Sequence, residues 1–378
     1  MNDYFLADDL SGALDAAAAF HRAGRVVRVP LDPADWTTAQ PGEITGLSTE
    51  TRNAPPAAAA NAVAAAIARG RKLGARLIYK KIDSTLRGPV AAELAAVLGA
   101  LPDTRLLFAP ANPAVGRTVH GGMLLVHGRP VHETEFGSDP VSPVRESRLR
   151  TLLANLPASL VEIPDTADAA DLDRAVNDQM TRGGPWVAVG SGALARPVAA
   201  ALAAGSAVTP KATNSSPPPA PGPMLFLGGS AHALNRRQAA RLWSTRNVPL
   251  HEFSLADSVE ALAAKVATNL RERGAASVLV APERGDSALI RDRLTAVAAA
   301  ALAATGTARV FATGGETARS LCVALGVRSL RFEAELEPGL AAASGEGCSG
   351  PLLLAVKPGG FGDDDTWLRA ADHLGRGA

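Results

Sequence analysis

The sequence predicts an α/β protein of two domains, each a mainly parallel sheet flanked by helices. Three observations carry this. Short apolar runs of four or five residues alternate with helical stretches along nearly the whole chain, the pattern of repeated βα units. One stretch breaks that alternation: six of the fourteen residues 210–223 are proline, a stiff exposed linker. And 378 residues, 47% of them hydrophobic, are enough for two cores of ordinary size. The expected division is residues 1–208, a linker at 209–223, and residues 224–378.

Tyr4 to Ala7 reads as a short buried strand, and the helical stretch from Leu10 follows it. Asp8 and Asp9 fall between them, at the edge where open α/β sheets place ligands. Either carboxylate could cap the helix or act on a ligand as hydroxyl binder or proton acceptor. Asp15, deeper in the helix, reads as a supporting residue. Val26 to Val29 and Ile44 to Ser48 are the next strands, and Arg52 follows the second, where it could clamp a carboxylate. Ala57 to Lys72 is a helix.

The stretch Arg76 to Gly88, RLIYKKIDSTLRG, is the most informative. It reads as strand, polar turn and helix start, with Pro89 expected at the first helical position. Free N–H groups and a positive dipole end meet there. The chain has 38 basic residues but only six lysines, so the adjacent Lys80 and Lys81 stand out. With Asp83, Ser84, Thr85 and Arg87 they suggest an anion site.

Leu106 to Ala109 is another strand. Arg117 adds a further cation in the loop after it, Leu124 to Val131 is a hairpin, and residues 133–147 are irregular. Long irregular segments in compact domains usually act as lids or interaction segments. His120, His127 and His132 lack a metal-ligand spacing and read as turn or surface residues. The strand Leu160 to Pro164, the helix Asp168 to Arg182 and the strand Trp186 to Val189 continue the alternation. Gly190-Ser191-Gly192-Ala193-Leu194-Ala195 matches G-x-G-x-x-A, but the acidic residue expected about 20 positions later in a dinucleotide site is missing.

The second half restarts at Met224 to Leu227. Strands are expected at Pro249 to Phe253, Ser277 to Ala281, Arg309 to Ala312 and Leu352 to Val356. Helices are expected up to Trp243, at Ser258 to Arg273, at Asp286 to Ala304 and at Ala318 to Leu325. Three strand ends carry glycines: Gly228-Gly229-Ser230, Gly314-Gly315 and Gly359-Gly360. Glycine lets backbone approach a phosphate or a base closely. Neither a Walker-type G-x-x-x-x-G-K-[ST] nor a protein-kinase signature is present.

Composition excludes several classes. A net charge of +1 advertises neither nucleic acid nor an anionic membrane. Cys322 and Cys348 have no CxxC spacing, which fits a reducing cytoplasm. The start MNDYFLADDLSG lacks a signal-peptide pattern. The alanine-rich run 296–304 is far short of the roughly 20 residues of a membrane span.

Several stretches together resemble the four-carbon acid sugar kinases. They are ADDLSGA at 7–13, KIDSTLRG at 81–88, PANPAVGRTVHGG and its continuation to Ser147, TGGET at 313–317, EPG at 337–339 and GGFG at 359–362. They span nearly the whole chain, though the piece after Glu337 looks short for the family. The resemblance implies ATP-dependent phosphorylation of the terminal hydroxyl of threonate, erythronate or 3-oxo-tetronate. It places the acid in the N-terminal domain and the nucleotide in the C-terminal one, with the active site in the cleft between them. Asp9, Arg52, Lys81, Ser84, Arg87 and Arg117 are the expected acid-binding residues, and Asp8 or Asp83 the proton acceptor. Ser230, Gly314, Gly315, Glu316, Thr317, Gly359 and Gly360 fall at the implied nucleotide contacts. ATP and Mg²⁺ are the implied cofactors, the metal's ligands being unassigned. A small sugar acid is the expected partner, with no nucleic acid and no membrane; a homodimer is compatible. Rival readings are an NAD-dependent oxidoreductase using Gly190 and Gly192, and a non-catalytic small-acid sensor.

Overall fold

Phe5 and Leu6 show how the N-terminal half is layered. In a computed structural model of the chain, the Phe5 ring stacks on Phe20 with centroids 5.1 Å apart, while Tyr4 and Leu6 join the core on the opposite face of the strand. Strand side chains alternate between faces, so one strand serves two helical layers. The structure describes residues 2–204, 222–230, 232–281, 286–348 and 350–376. The chain divides into two compact units, Met1–Ala212 and Thr213–Ala378. The proline-rich stretch expected as a linker lies outside the described residues, Gly222 and Pro223 apart.

In the first unit the elements run β1 (Asn2–Ala7), α1 (Leu10–Arg22), β2 (Val26–Pro30), β3 (Glu43–Ser48), α2 (Pro56–Lys72), β4 (Ala75–Lys81), α3 (Val90–Ala100) and β5 (Arg105–Ala109). A small antiparallel sheet follows, β6 (Arg117–His120), β7 (Met123–Val126) and β8 (Arg129–Pro130). Then come α4 (Leu149–Leu152), β9 (Val161–Glu162), α5 (Ala169–Arg182), β10 (Trp186–Gly190) and α6 (Gly192–Ala204). The main sheet is parallel, in the order β2-β3-β1-β4-β10-β5-β9. Helix α1 covers the Phe5 face, while α2 and α3 pack on the Tyr4 and Leu6 face through Val63, Ile67, Leu94 and Val97. The helices after the neighbouring strands β1 and β4 therefore lie on opposite faces. That is a topological switch point, where the carboxyl ends of the strands open a crevice.

The second unit holds β11 (Met224–Gly228), α7 (Ala233–Arg246), β12 (Leu250–Phe253), α8 (Val259–Arg273), β13 (Ala275–Val280), α9 (Ser287–Thr305), β14 (Arg309–Thr313) and α10 (Gly315–Ala324). It ends with β15 (Ser329–Glu337), β16 (Leu340–Gly347), β17 (Gly350–Lys357) and α11 (Thr366–Arg376). Strands β12-β13-β11-β14-β17 are parallel, and β17-β16-β15 continue as an antiparallel meander. Phe226, Phe311 and Trp367 cluster at centroid distances of 5.4 to 5.7 Å in its core. No helix among the described residues is long and apolar enough to cross a membrane.

Several expectations need correction. Strands β15 and β16 and helix α11 were not anticipated. Pro89 sits in the cap position before α3, not at its first residue. Helix α10 starts at Gly315, not Ala318, because Gly314 at φ 93° turns the chain directly into it.

Candidate active site

The first cluster forms at the carboxyl ends of β3, β1, β4 and β10, where Ser48, Ala7, Lys81 and Gly190 stand in register. Asp9 is the N-cap of α1, accepting from the Gly12 N–H and the Ser11 hydroxyl, each at 2.6 Å. Asp8 does not cap; its carboxylate is gripped by Arg52. Nε donates to one Asp8 oxygen at 2.9 Å and Nη2 to the other at 2.8 Å. The same guanidinium donates to both Asp9 oxygens, at 2.7 and 2.9 Å. Arg52 is thus filled by the protein's own carboxylates, not left open as a clamp. Its backbone N–H and that of Thr51 donate to the Asp8 carbonyl, which fixes the loop.

The adjacent lysines part company because strand side chains alternate. Lys80 is fully buried and pairs with Glu93 of α3 at 3.1 Å, and Glu93 also accepts from the Thr51 hydroxyl. Lys80 is therefore a structural ion, not part of an anion site. Lys81 lies on the α1 face, its Nζ 3.5 Å from Asp15 and 3.2 Å from the Ile82 carbonyl. Gly12 allows this: a Cβ there would sit 3.3 Å from Lys81 Nζ and 2.7 Å from an Asp9 oxygen.

The turn after β4 folds back on itself. Arg87 donates through Nε and Nη2 to the two Asp83 oxygens, at 2.9 and 3.2 Å, and Thr85 donates to the same carboxylate. Leu86 adopts φ 65°, a costly conformation for a branched residue, stored inside the turn. Gly88, at φ 95°, approaches the Arg52 carbonyl so closely that a Cβ would sit 3.0 Å from it. Arg117, at the start of β6, donates to the Ser84 hydroxyl.

The irregular segment at 133–147 reaches into this cluster. Asp139 lies 3.5 Å from Arg87, the Ser142 hydroxyl accepts from the Gly88 N–H at 2.7 Å, and the Phe136 ring faces both Arg87 and Arg117. Burial alone would raise the Asp8 and Asp83 pKa values. Arg52 for Asp8, and Arg87 and Arg52 for Asp83, outweigh it and hold both below the usual carboxylate range. Both are ionised at neutral pH.

The second cluster lies in the other unit. Gly228, Thr313 and Lys357 are paired in register across the carboxyl ends of β11, β14 and β17. The three glycine turns thus leave one edge of one sheet from neighbouring strands. Gly229 packs against Thr317, a Cβ there falling 2.6 Å from Thr317 Cβ; Gly359 packs against Ser230, and Gly360 against the His232 ring. Ser230, Gly314, Gly315, Thr317, Gly359 and Gly360 are brought together. Glu316 points to Arg291, at 2.9 Å. Lys357, buried, donates to Asn235 at 2.9 Å and to the Pro358 and Gly359 carbonyls at 3.3 and 3.0 Å. It holds the third turn in shape. A nucleotide fits such an edge: the turns are bare main chain, and the first N–H groups of α10 offer the donors phosphates need.

The G-x-G-x-x-A stretch serves packing. A Cβ on Gly190 would strike Leu194 and the Ala109 carbonyl group, and one on Gly192 would lie 2.6 Å from the Asp15 carboxyl carbon. Both glycines are filled by the protein itself, which removes the dinucleotide reading. Among the described residues no group of three or more His, Cys, Asp or Glu is gathered to hold a metal ion.

Sequence reasoning missed Glu93, Phe136, Asp139, Ser142, Asn235 and Lys357. Two signals were present: the irregular length of the 133–147 segment, and the place of Lys357, one of only six lysines, at the start of the Gly359-Gly360 turn.

A family model described as a sugar-binding N-terminal domain matches residues 4–189, and one described as a nucleotide-binding C-terminal domain matches residues 225–367. A D-threonate kinase of Bordetella bronchiseptica is 35% identical, over 98% of this chain and 96% of its own length. A 3-oxo-tetronate kinase of Cupriavidus necator is 27% identical, over 98% of this chain and 96% of its own. A crystal structure of a domain of unknown function from Bordetella bronchiseptica, with bound citrate and in a domain-swapped dimer, is 32% identical. It superposes with a TM-score of 0.51, covering 99% of this chain and 98% of that one.

Proposed function

The chain belongs to the four-carbon acid sugar kinase family, and from that premise we propose that it transfers the γ-phosphoryl group of ATP to the terminal hydroxyl of a four-carbon sugar acid. D-threonate is the first acid to test, because the relative at 35% identity bears that name. The observation that carries the reading is the pairing of two different strand-end clusters in one chain. One is charged and side-chain rich, suited to a small acid. The other is glycine-lined at Gly228, Thr313 and Lys357, suited to a triphosphate.

Phosphoryl transfer asks a protein for positioning and charge neutralisation more than for covalent chemistry. In this reading the acid binds among Asp9, Lys81, Ser84, Arg87 and Arg117, with Arg52 holding Asp8 and Asp9 in place. Asp8 or Asp83 orients the hydroxyl and accepts its proton; both are ionised and need no activation. Low basicity is tolerable, since a loose transition state loses the proton late. Gly314 to Thr317, Ser230 and the Gly359-Gly360 turn hold the nucleotide. Mg²⁺, bound chiefly by phosphates and water, would supply charge neutralisation on the moving group. The reading places the protein in the cytoplasm, where ATP is supplied. It includes a homodimer, by analogy with the relative's domain-swapped one.

An ADP-release screen over D- and L-threonate, D- and L-erythronate and their 3-oxo forms tests this. ATP- and Mg²⁺-dependent release with one of them is expected. Absence of release with all of them overturns it. Asp8→Asn and Asp83→Asn then separate the two carboxylates: the proton acceptor loses kcat by roughly 100-fold or more, the other less.

A further inference from the structure

The four cations of the acid site are not equally available. Arg52 is filled by Asp8 and Asp9 through four hydrogen bonds. Arg87 is held by both Asp83 oxygens and lies beside Asp139. Lys81 has Asp15 at 3.5 Å. Arg117 differs. Among the described residues no carboxylate lies within ion-pair distance of it, its Nη1 donates only to the neutral Ser84 hydroxyl, and its buried Nε has no acceptor. Its guanidinium faces the Phe136 ring at 5.4 Å, and Arg87 faces the same ring at 5.7 Å. Burial, with the like charge of Arg87 beside it, lowers its pKa in spite of the Asp83 and Glu135 carboxylates, neither of which is in contact with it.

A half-buried guanidinium with no carboxylate in contact and an unsatisfied Nε gains from an anion that arrives to complete it. Arginine's planar fork also matches a carboxylate through two parallel hydrogen bonds. We propose that Arg117, with the Ser84 hydroxyl beside it, is the element that recognises the substrate's carboxylate, while Arg52 and Arg87 hold the site's own aspartates. This rests on the sugar-acid reading above and assigns the acid's charged end to the β6 side of the site. A four-carbon substrate lacking the carboxylate loses this contact before any other.

The test is calorimetric titration, without nucleotide, of the preferred C4 acid and of its uncharged amide. It uses the wild-type chain, Arg117→Gln and Arg117→Lys, with a melting curve for each. Wild type should favour the acid. Arg117→Gln should weaken the acid by roughly 10- to 100-fold, the worth of a charge-assisted contact, and leave the amide within twofold. Arg117→Lys should recover part of the loss, because charge returns without the fork. Equal weakening of acid and amide, unchanged acid affinity, or no binding of any acid by wild type would overturn the proposal. The kinase reading is judged separately by ADP release, so acid-selective binding without turnover would sink that reading and leave this one standing.

Discussion

Arg52 and Asp8 lie 44 residues apart and meet as a two-pronged pair, Nε to one oxygen at 2.9 Å and Nη2 to the other at 2.8 Å. The pair joins the loop after β3 to the end of β1 and holds Asp8 ionised where the acid is proposed to bind.

Removing the guanidinium strands two buried carboxylates. Arg52→Ala should lower the stability of the first unit by roughly 3–5 kcal/mol, the cost of breaking a buried pair. Arg52→Lys should rescue little, because a point charge cannot serve Asp8 and Asp9 together. Urea unfolding of the three proteins, followed by tryptophan fluorescence, checks this.

The two lysines of β4 should fail in different ways. Lys80→Met leaves Glu93 buried without its ion and should cost on the order of 3 kcal/mol, while the double change Lys80→Met with Glu93→Met should be much closer to wild type. Lys81→Met should melt near the wild-type temperature and lose acid binding. Equal loss of stability in both single variants would contradict this division.

Gly229→Ala tests the glycine edge of the second unit. The new methyl would strike the Thr317 side chain, with an expected strain of about 1–3 kcal/mol. The KM for ATP should rise at least several-fold, while affinity for the acid, measured without nucleotide, should stay unchanged. A KM that does not move would remove this edge from the nucleotide site.

Lys357 predicts a pH signature. Burial lowers its amine to about 7 from an ordinary 10.5. Between those values the unfolded chain binds more protons than the folded one, so stability should rise as pH goes from 7 to about 10. At pH 7 and below the charged amine carries its full burial cost. Lys357→Met should abolish that slope and loosen the Gly359 turn, whose carbonyl Lys357 holds at 3.0 Å. Urea midpoints at pH 7 and 9.5 for both proteins are the measurement.

Much of this architecture was legible because strand ends announce themselves. An apolar run followed by Asp8-Asp9, Asp83-Ser84 or Gly314-Gly315 marks the edge where βα units collect ligands. The switch point between β1 and β4 was not legible, since it depends on which face each helix takes. Strand β16, LAAASGEG, has no β-branched or aromatic residue; its state comes from pairing with β15 and β17, a tertiary effect that overrides local preference. Strand β15, SLRFEAELE, alternates apolar and polar residues but is built largely from good helix formers. The neutralisation of Arg52 and Arg87, and the isolation of Arg117, rest on partners 33 to 52 residues away or on a short turn, which spacing alone does not reveal.

The central claim is phosphoryl transfer from ATP to a C4 acid. It is tested most directly by incubating the protein with Mg²⁺-ATP and the preferred acid, counting ADP, and locating the phosphate on the product by ³¹P–¹H correlation. One ADP per phosphorylated acid, with phosphate on the terminal oxygen, is the predicted result. ADP formed without a phosphorylated acid, or phosphate on the carboxylate or an internal hydroxyl, would contradict it.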